Sequence, residues 1–163
     1  METERFSFQP IGVIHSPFKQ PSGVPIQGAF APEAQGYVEI DDAFSEGLQD
    51  IEQFSHIYLL YMFHRNQQVK LTVTPFLDNQ PHGVLATRAP CRPNPIGLSI
   101  VRLLAREGNR LHVGELDIID ETPLLDLKPY IPRFDHRPDA APGWTAGAES
   151  RDVTYKADDR FQS

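Results

Sequence analysis

Short runs of alternating apolar and polar residues, separated by proline, glycine and acidic turns, make up most of this chain. Residues 6–15, FSFQPIGVIH, alternate at first. Pro10 inside that run predicts an edge position or a bulge, because proline brings no backbone donor to a ladder. GYVEI (36–40), HIYLLYMF (56–63), VKLTVT (69–74) and GVLATRA (83–89) are further strand candidates, rich in β-branched and aromatic residues. LSIVRLLAR (98–106) and RLHVGELDII (110–119) flank Glu107, Gly108 and Asn109, a good hairpin connection. One segment has helical spacing: in SEGLQDIEQF (45–54), Ser45 can cap while Leu48, Ile51 and Phe54 share a face.

About seven strands with frequent turn signals predict a mainly β fold, a single antiparallel β-barrel, closed or nearly closed, with one short helix. No βαβ alternation supports a Rossmann-like sheet. Fifteen prolines spread over 163 residues argue against long helices. The expected organisation is a barrel domain over 1–137 and a C-terminal tail or dimerisation arm over 138–163. Trp144 in that arm carries enough apolar area to predict docking, on this subunit or on a second one.

Charge and composition narrow the function classes. A net charge of −7 argues against non-specific coating of nucleic acid. The charge is uneven, with nine acids against two bases in residues 1–54 and eight bases against seven acids in 88–137. A local basic surface on an acidic body is the expectation. No run reaches the roughly 20 apolar residues of a membrane span. The N-terminal residues lack the basic start and apolar middle of a signal peptide, and Cys91, the one cysteine, has no disulfide partner in the chain. A cytoplasmic protein is expected.

The candidate chemistry is concentrated in two proline-rich stretches. ATRAPCRPNPIGLSIV (86–101) places Arg88 and Arg92 among Pro90, Pro93 and Pro95, which fix the backbone before anything binds. Guanidiniums held this way suit a carboxylate, a phosphate or a stacked base. DIIDETPLLDLKPYIP (117–132) gathers Asp117, Asp120, Glu121 and Asp126, which could form a metal cluster or a carboxylate pair, or simply a turn. Lys128, Pro129 and Tyr130 form a rigid cationic and aromatic element suited to a nucleotide. The six histidines never fall at close ligand spacing, so no metal is expected. Cys91 reads as a small buried or semi-exposed thiol rather than a nucleophile.

These stretches, with IGVIHSPFK (11–19) and FSHIYLLYMFH (54–64), resemble the TrmO family, also called TsaA or YaeB-like, over about residues 6–135. The resemblance implies a β-barrel methyltransferase dependent on S-adenosyl-L-methionine. The acceptor it implies is N6 of N6-threonylcarbamoyladenosine next to the tRNA anticodon, with tRNA as partner and a homodimer as the assembly. Carried over by position, the cofactor contacts are Pro25, Ile26, Gln27, His64, Arg65, Arg88, Leu98, Asp120, Glu121, Thr122 and Pro123. Arg92, Asn94, Lys128 and Tyr130 match positions that would meet tRNA or orient the modified base. Asp120, Glu121 and His64, or bulk water after methylation, are the candidates for removing the N6 proton. The family usually shows Arg-Gln-Pro where this chain has PIQG (25–28), and Asp-Gly-Thr-Pro where it has DETP (120–123). With glutamate in place of that glycine, the backbone at 121 is expected to avoid positive φ. Two alternatives remain at this stage: a methyltransferase for a small molecule or another RNA, and a non-enzymatic nucleotide-binding barrel.

Overall fold

The computed structural model describes residues 4–148 and 156–161. In chain order the strands are β1 (Gly12–His15), β2 (Gly36–Ile40), β3 (His56–Met62), β4 (Thr72–Val73), β5 (His82–Gly83), β6 (Ile96–Glu107), β7 (Arg110–Gly114) and β8 (Thr122–Pro129). Six of them close an antiparallel barrel in the order β1-β2-β7-β6-β3-β8, while β4 and β5 pair only with each other. Along β3, Ile57, Leu59 and Tyr61 point inward and are buried, as period-2 patterning requires. Ile14, Val38, Val101, Leu111 and Leu124 meet them from the other strands, and Leu48 and Ile51 join the same core.

Several elements differ from their sequence patterns, each for a local reason. Pairing in the first run begins only at Gly12, so Pro10 lies just outside the strand. The run 69–74 reduces to β4. The run 83–89 reduces to the end of β5 and a 3-10 turn over Val84–Ala86, which Thr87 closes by donating Oγ1 to the Val84 carbonyl. The expected helix over 45–54 is two 3-10 segments, Asp42–Leu48 and Ile51–Gln53, broken at Asp50 with φ +69°. Its cap is Asp41, whose carboxylate accepts from the Ala43 N–H at 2.9 Å; Ser45 instead donates to the Asp42 carbonyl. Among the described residues the α-helical ones form one turn, α1 (Pro132–Asp135). β7 stops at Gly114 because Glu115 takes φ +59°.

β6 reverses the usual polarity of a barrel strand. Its inward residues near the rim are the small Gly97 and Ser99, whereas Ile96, Leu98 and Ile100 face outward and are 39–49% exposed. Gly97 is required by packing, since a Cβ there would run into the ring of Tyr61 on the paired strand.

The described parts of 138–163 pack against this chain, while 149–155 and 162–163 of the expected arm lie outside the described residues. Trp144 donates its indole N–H to the Ala86 carbonyl at 2.8 Å and stacks on His82, ring centroids 4.6 Å apart. Ala157 exchanges backbone hydrogen bonds with the 23–24 segment, and Phe161 meets Phe76 edge-on at 4.9 Å. Replacing Gly97 with alanine should destabilise the barrel by about 1–3 kcal/mol through overpacking against Tyr61. A lowered urea midpoint with an unchanged slope would register that loss.

Candidate active site

The reversed face of β6, the rim end of β3 and the turn entering β8 enclose a cavity of about 690 Å³. Its lining joins the two proline-rich stretches: Thr87, Arg88, Pro90 and Arg92 come from the first, and Asp117, Ile118, Ile119 and Thr122 from the second. Pro25, Ile26 and Gln27 form a third wall, and Ala157, Asp158 and Phe161 a fourth. Apolar surface from Val24, Phe63, Phe76 and Leu98 alternates with Arg65, Arg88 and Asp117, the mixture that holds and orients a small polar ligand.

The loop carrying the arginines is fastened from within. Arg92 donates Nη1 to the carbonyls of Thr87 and Val84 at 2.7 and 3.2 Å, so its guanidinium clamps the loop. Cys91 is buried with Val73, Val84 and Ala89. Arg88 is left exposed at the cavity, oriented by Gln27 Oε1 at 2.7 Å. The proline spacing thus presents one arginine and consumes the other.

Asp117 is the charged centre of the opposite wall. Ser99 donates Oγ–H to its Oδ1 at 2.6 Å, and the Gly28 amide donates to its Oδ2 at 3.1 Å. Since Ser99 has one proton and spends it on Asp117, the Tyr61 hydroxyl 3.0 Å away must donate to Ser99. Burial pushes the Asp117 carboxyl up to about 6, against the Ser99 and Gly28 hydrogen bonds and the Arg88 charge, which favour its ionised form. Burial pushes the Tyr61 phenol well above its usual range, so it acts as a donor.

Thr122 lines the cavity, whereas His64, Asp120, Glu121 and Pro123 sit around it. Thr122 donates to the Ile119 carbonyl at 2.7 Å, with His64 Nδ1 3.4 Å away from its hydroxyl. Burial and the neighbouring Arg65 charge hold the His64 imidazolium below its ordinary range, so the ring is neutral at pH 7. Asp120 points away and is bound by Lys19 Nζ, by the Ser16 amide at 2.9 Å and by His15 at 3.5 Å. Glu121 is exposed with φ +62°, so the expectation of negative φ there was wrong. The turn keeps a left-handed residue even with a Cβ, at a cost of about 1–2 kcal/mol. Pro123 pairs opposite Val13 in β8. Asn94 is exposed on the loop.

Lys128 and Tyr130 lie elsewhere. Six residues along β8 from Thr122 is about 20 Å, and there Lys128 pairs with Asp126 at 2.8 Å while Tyr130 packs on Tyr58. Asp117, Asp120 and Asp126 therefore have separate partners, and no group of three or more potential ligands gathers among the described residues. Sequence reading missed Tyr61 and Ser99 as site members and named Asp117 only as one of four acids in a possible cluster or turn. The available signal was Ser99 on the inward period of β6 and Asp117 between two buried apolar residues, Leu116 and Ile118.

The molecule is a closed six-stranded antiparallel barrel with a charged, apolar-walled cavity at one rim, whose size and charge mixture suit a nucleotide-sized ligand. Residues 13–136 match the family model of the tRNA-methyltransferase O N-terminal domain, and the chain belongs to that family. It is similar to a probable S-adenosyl-L-methionine-binding protein of Pyrococcus abyssi, 52% identical over 156 residues, covering 96% of this chain and 85% of that one. It is 35% identical over 158 residues to the tRNA (adenine(37)-N6)-methyltransferase of Escherichia coli, covering 91% of this chain and 67% of that enzyme. The crystal structure of TrmO from Pseudomonas aeruginosa superposes with a TM-score of 0.74 at 40% identity, over 86% of this chain. The chain spans 63% of the length of that structure.

The strained turn and its buried neighbour give two expected outcomes. Glu121→Gly should raise stability by up to about 1 kcal/mol by removing the left-handed penalty, measured by urea unfolding. Burial opposes ionisation of Asp120, but Lys19 and the Ser16 amide outweigh it and hold the carboxyl below its usual value. A depressed folded pKa stabilises above the unfolded value, about 3.9, and that stabilisation is lost as pH falls through the folded value. Asp120→Asn should therefore be less stable than wild type at pH 7, and the gap should narrow below about pH 4.

Proposed function

We propose that this protein is an S-adenosyl-L-methionine-dependent methyltransferase whose acceptor is N6 of N6-threonylcarbamoyladenosine beside the tRNA anticodon. The observation that carries this reading is the convergence of Arg88 and Thr122, from stretches more than thirty positions apart in sequence, on one cavity. The donor set fits the cofactor. Arg88 and Arg65 answer its carboxylate, apolar walls at Ile26, Leu98 and Phe76 answer its purine, and the aromatic faces of Phe63 and Phe76 suit a sulfonium. When bound, S-adenosyl-L-methionine supplies an electrophilic methyl group.

The chain's own part is positioning. Methyl transfer is an in-line displacement, and a loop pinned by Arg92 and braced by three prolines loses little entropy when the reactants are aligned. In this reading Pro25, Ile26, Gln27, Arg65, Arg88, Leu98 and Thr122 hold the cofactor. His64, Asp120, Glu121 and Pro123 shape the turn behind Thr122. Asn94, exposed on the loop, and the Lys128–Tyr130 patch farther along β8 serve as tRNA contacts, while Arg92 is spent on the carbonyls of its own loop. An acidic chain makes such binding local and strongly salt-dependent. The outward apolar row of Ile96, Leu98, Ile100 and Leu104 supports a homodimer that covers it.

Addition of S-adenosyl-L-methionine should raise the unfolding midpoint progressively with concentration, reaching about 2.7 kcal/mol of stabilisation at a hundred times Kd, and Arg88→Ala should require at least tenfold more ligand for the same shift. Purified protein should methylate threonylcarbamoylated tRNA and leave tRNA without that group unmodified. Cofactor binding with methylation of some other acceptor would move the assignment to a small molecule or another RNA. Binding with no turnover would leave a nucleotide-binding barrel.

A further inference from the structure

We propose that Asp117 is the proton acceptor of the transfer, its carboxylate fixed by Ser99 and Gly28 in the cavity wall and taking the N–H proton of the nitrogen being methylated. This assignment rests on the methyltransferase reading above and replaces Asp120, Glu121 and His64 in that role.

Position decides first. Among the described residues the carboxylates lining the cavity are Asp117 and Asp158. Asp158 is bound to Arg160 at 2.7 Å, and that bond holds its carboxyl below the usual value, which makes it a poor base. Asp120 is committed to Lys19 and the Ser16 amide on the other side of the turn. Glu121 and His64 do not reach the lining.

Hydrogen bonding decides second. Tyr61 donates to Ser99 and Ser99 donates to Asp117, a relay that stabilises a carboxylate there. Each Asp117 oxygen accepts one of these bonds and has capacity for another. The groups that face Asp117 are Tyr61 from β3, Ser99 from β6, the Gly28 amide and Arg88. A carboxyl near 6 is ionised at pH 7 and still basic enough to accept a proton efficiently.

The balance is simple. The N–CH3 bond forms as the sulfonium–CH3 bond breaks, and that bond's electron pair stays on sulfur. The N–H electron pair stays on nitrogen, and the proton passes to an Asp117 oxygen and then to solvent through the cavity mouth. The acceptor nitrogen ends uncharged.

The test combines a titration of the free protein with kinetics. With 13C-labelled aspartate carboxyls, the Asp117 signal, assigned by its loss in Asp117→Asn, should titrate near pH 6; a midpoint near 4 overturns the proposal. In methylation of threonylcarbamoylated tRNA, kcat/KM of wild type should fall below about pH 6. Asp117→Asn should lose that limb and about 10²–10⁴-fold in rate, with S-adenosyl-L-methionine affinity by thermal shift unchanged. Ser99→Ala removes a bond to the ionised form, so both the carboxyl titration and the acid limb should move to higher pH. If Asp117→Asn fails to fold, the shift of the acid limb in Ser99→Ala still serves, and an unmoved limb overturns the proposal. Retained rate in Asp117→Asn, or weaker cofactor binding with an intact saturated rate, overturns the assignment. Wild type that binds the cofactor yet methylates no such tRNA removes the function reading, and this proposal with it.

Discussion

Closure of the barrel through β8 is the constraint on which the site depends. β8 pairs with β1 on one edge and β3 on the other, so its N-terminal end is fixed over one rim. The chain must reach that rim from the end of β7, and the connection is the segment carrying Asp117 through Glu121. Thr122, the first residue of the strand, is almost fully buried and is tied to the Ile119 carbonyl. The turn is therefore held at both ends before any ligand arrives. The connection holds two left-handed non-glycine residues, Glu115 and Glu121, which shows that closure outweighs local backbone penalties.

The second determinant is the exchange of bulk for polarity on the inner face of β6. Gly97 admits the Tyr61 ring, which brings its hydroxyl to Ser99 and through it to Asp117. Each buried polar group left unpaired would cost about 1–3 kcal/mol. Here each donor has an acceptor, so a polar path runs through a region that would otherwise be packed with aliphatic side chains. The apolar residues displaced from the inner face appear outside on the same strand, at Ile96, Leu98 and Ile100.

Much of the architecture was legible in the residues. β2, β3, β6 and the hairpin to β7 follow the period-2 signal because strands with one buried face must alternate. β8 was hidden by Pro123 and Pro129, which discourage a strand assignment although both sit at its ends, where a missing donor matters least. The helix at 45–54 was misread because its apolar spacing survives in two 3-10 turns, and Asp50, not the spacing, decides the break. At the site, charged residues near prolines were visible, but their partners were not. Arg88 and Arg92 look alike in sequence, and only three-dimensional contacts show that Arg92 is spent on carbonyls of its own loop. Asp117 was visible only as one of several acids, since its neighbours Ser99, Tyr61 and Gly28 come from distant parts of the chain.

The burial of Cys91 beneath the arginine-bearing loop has a consequence for measuring how that loop moves. A thiol packed on Val73, Val84 and Ala89 meets an alkylating reagent only when the surrounding segment opens. As the one cysteine in the chain, it gives a single unambiguous signal. The molecule thus carries its own stopwatch, whose ticking under a mild thiol reagent counts excursions of the cavity wall in a protein that needs no added label.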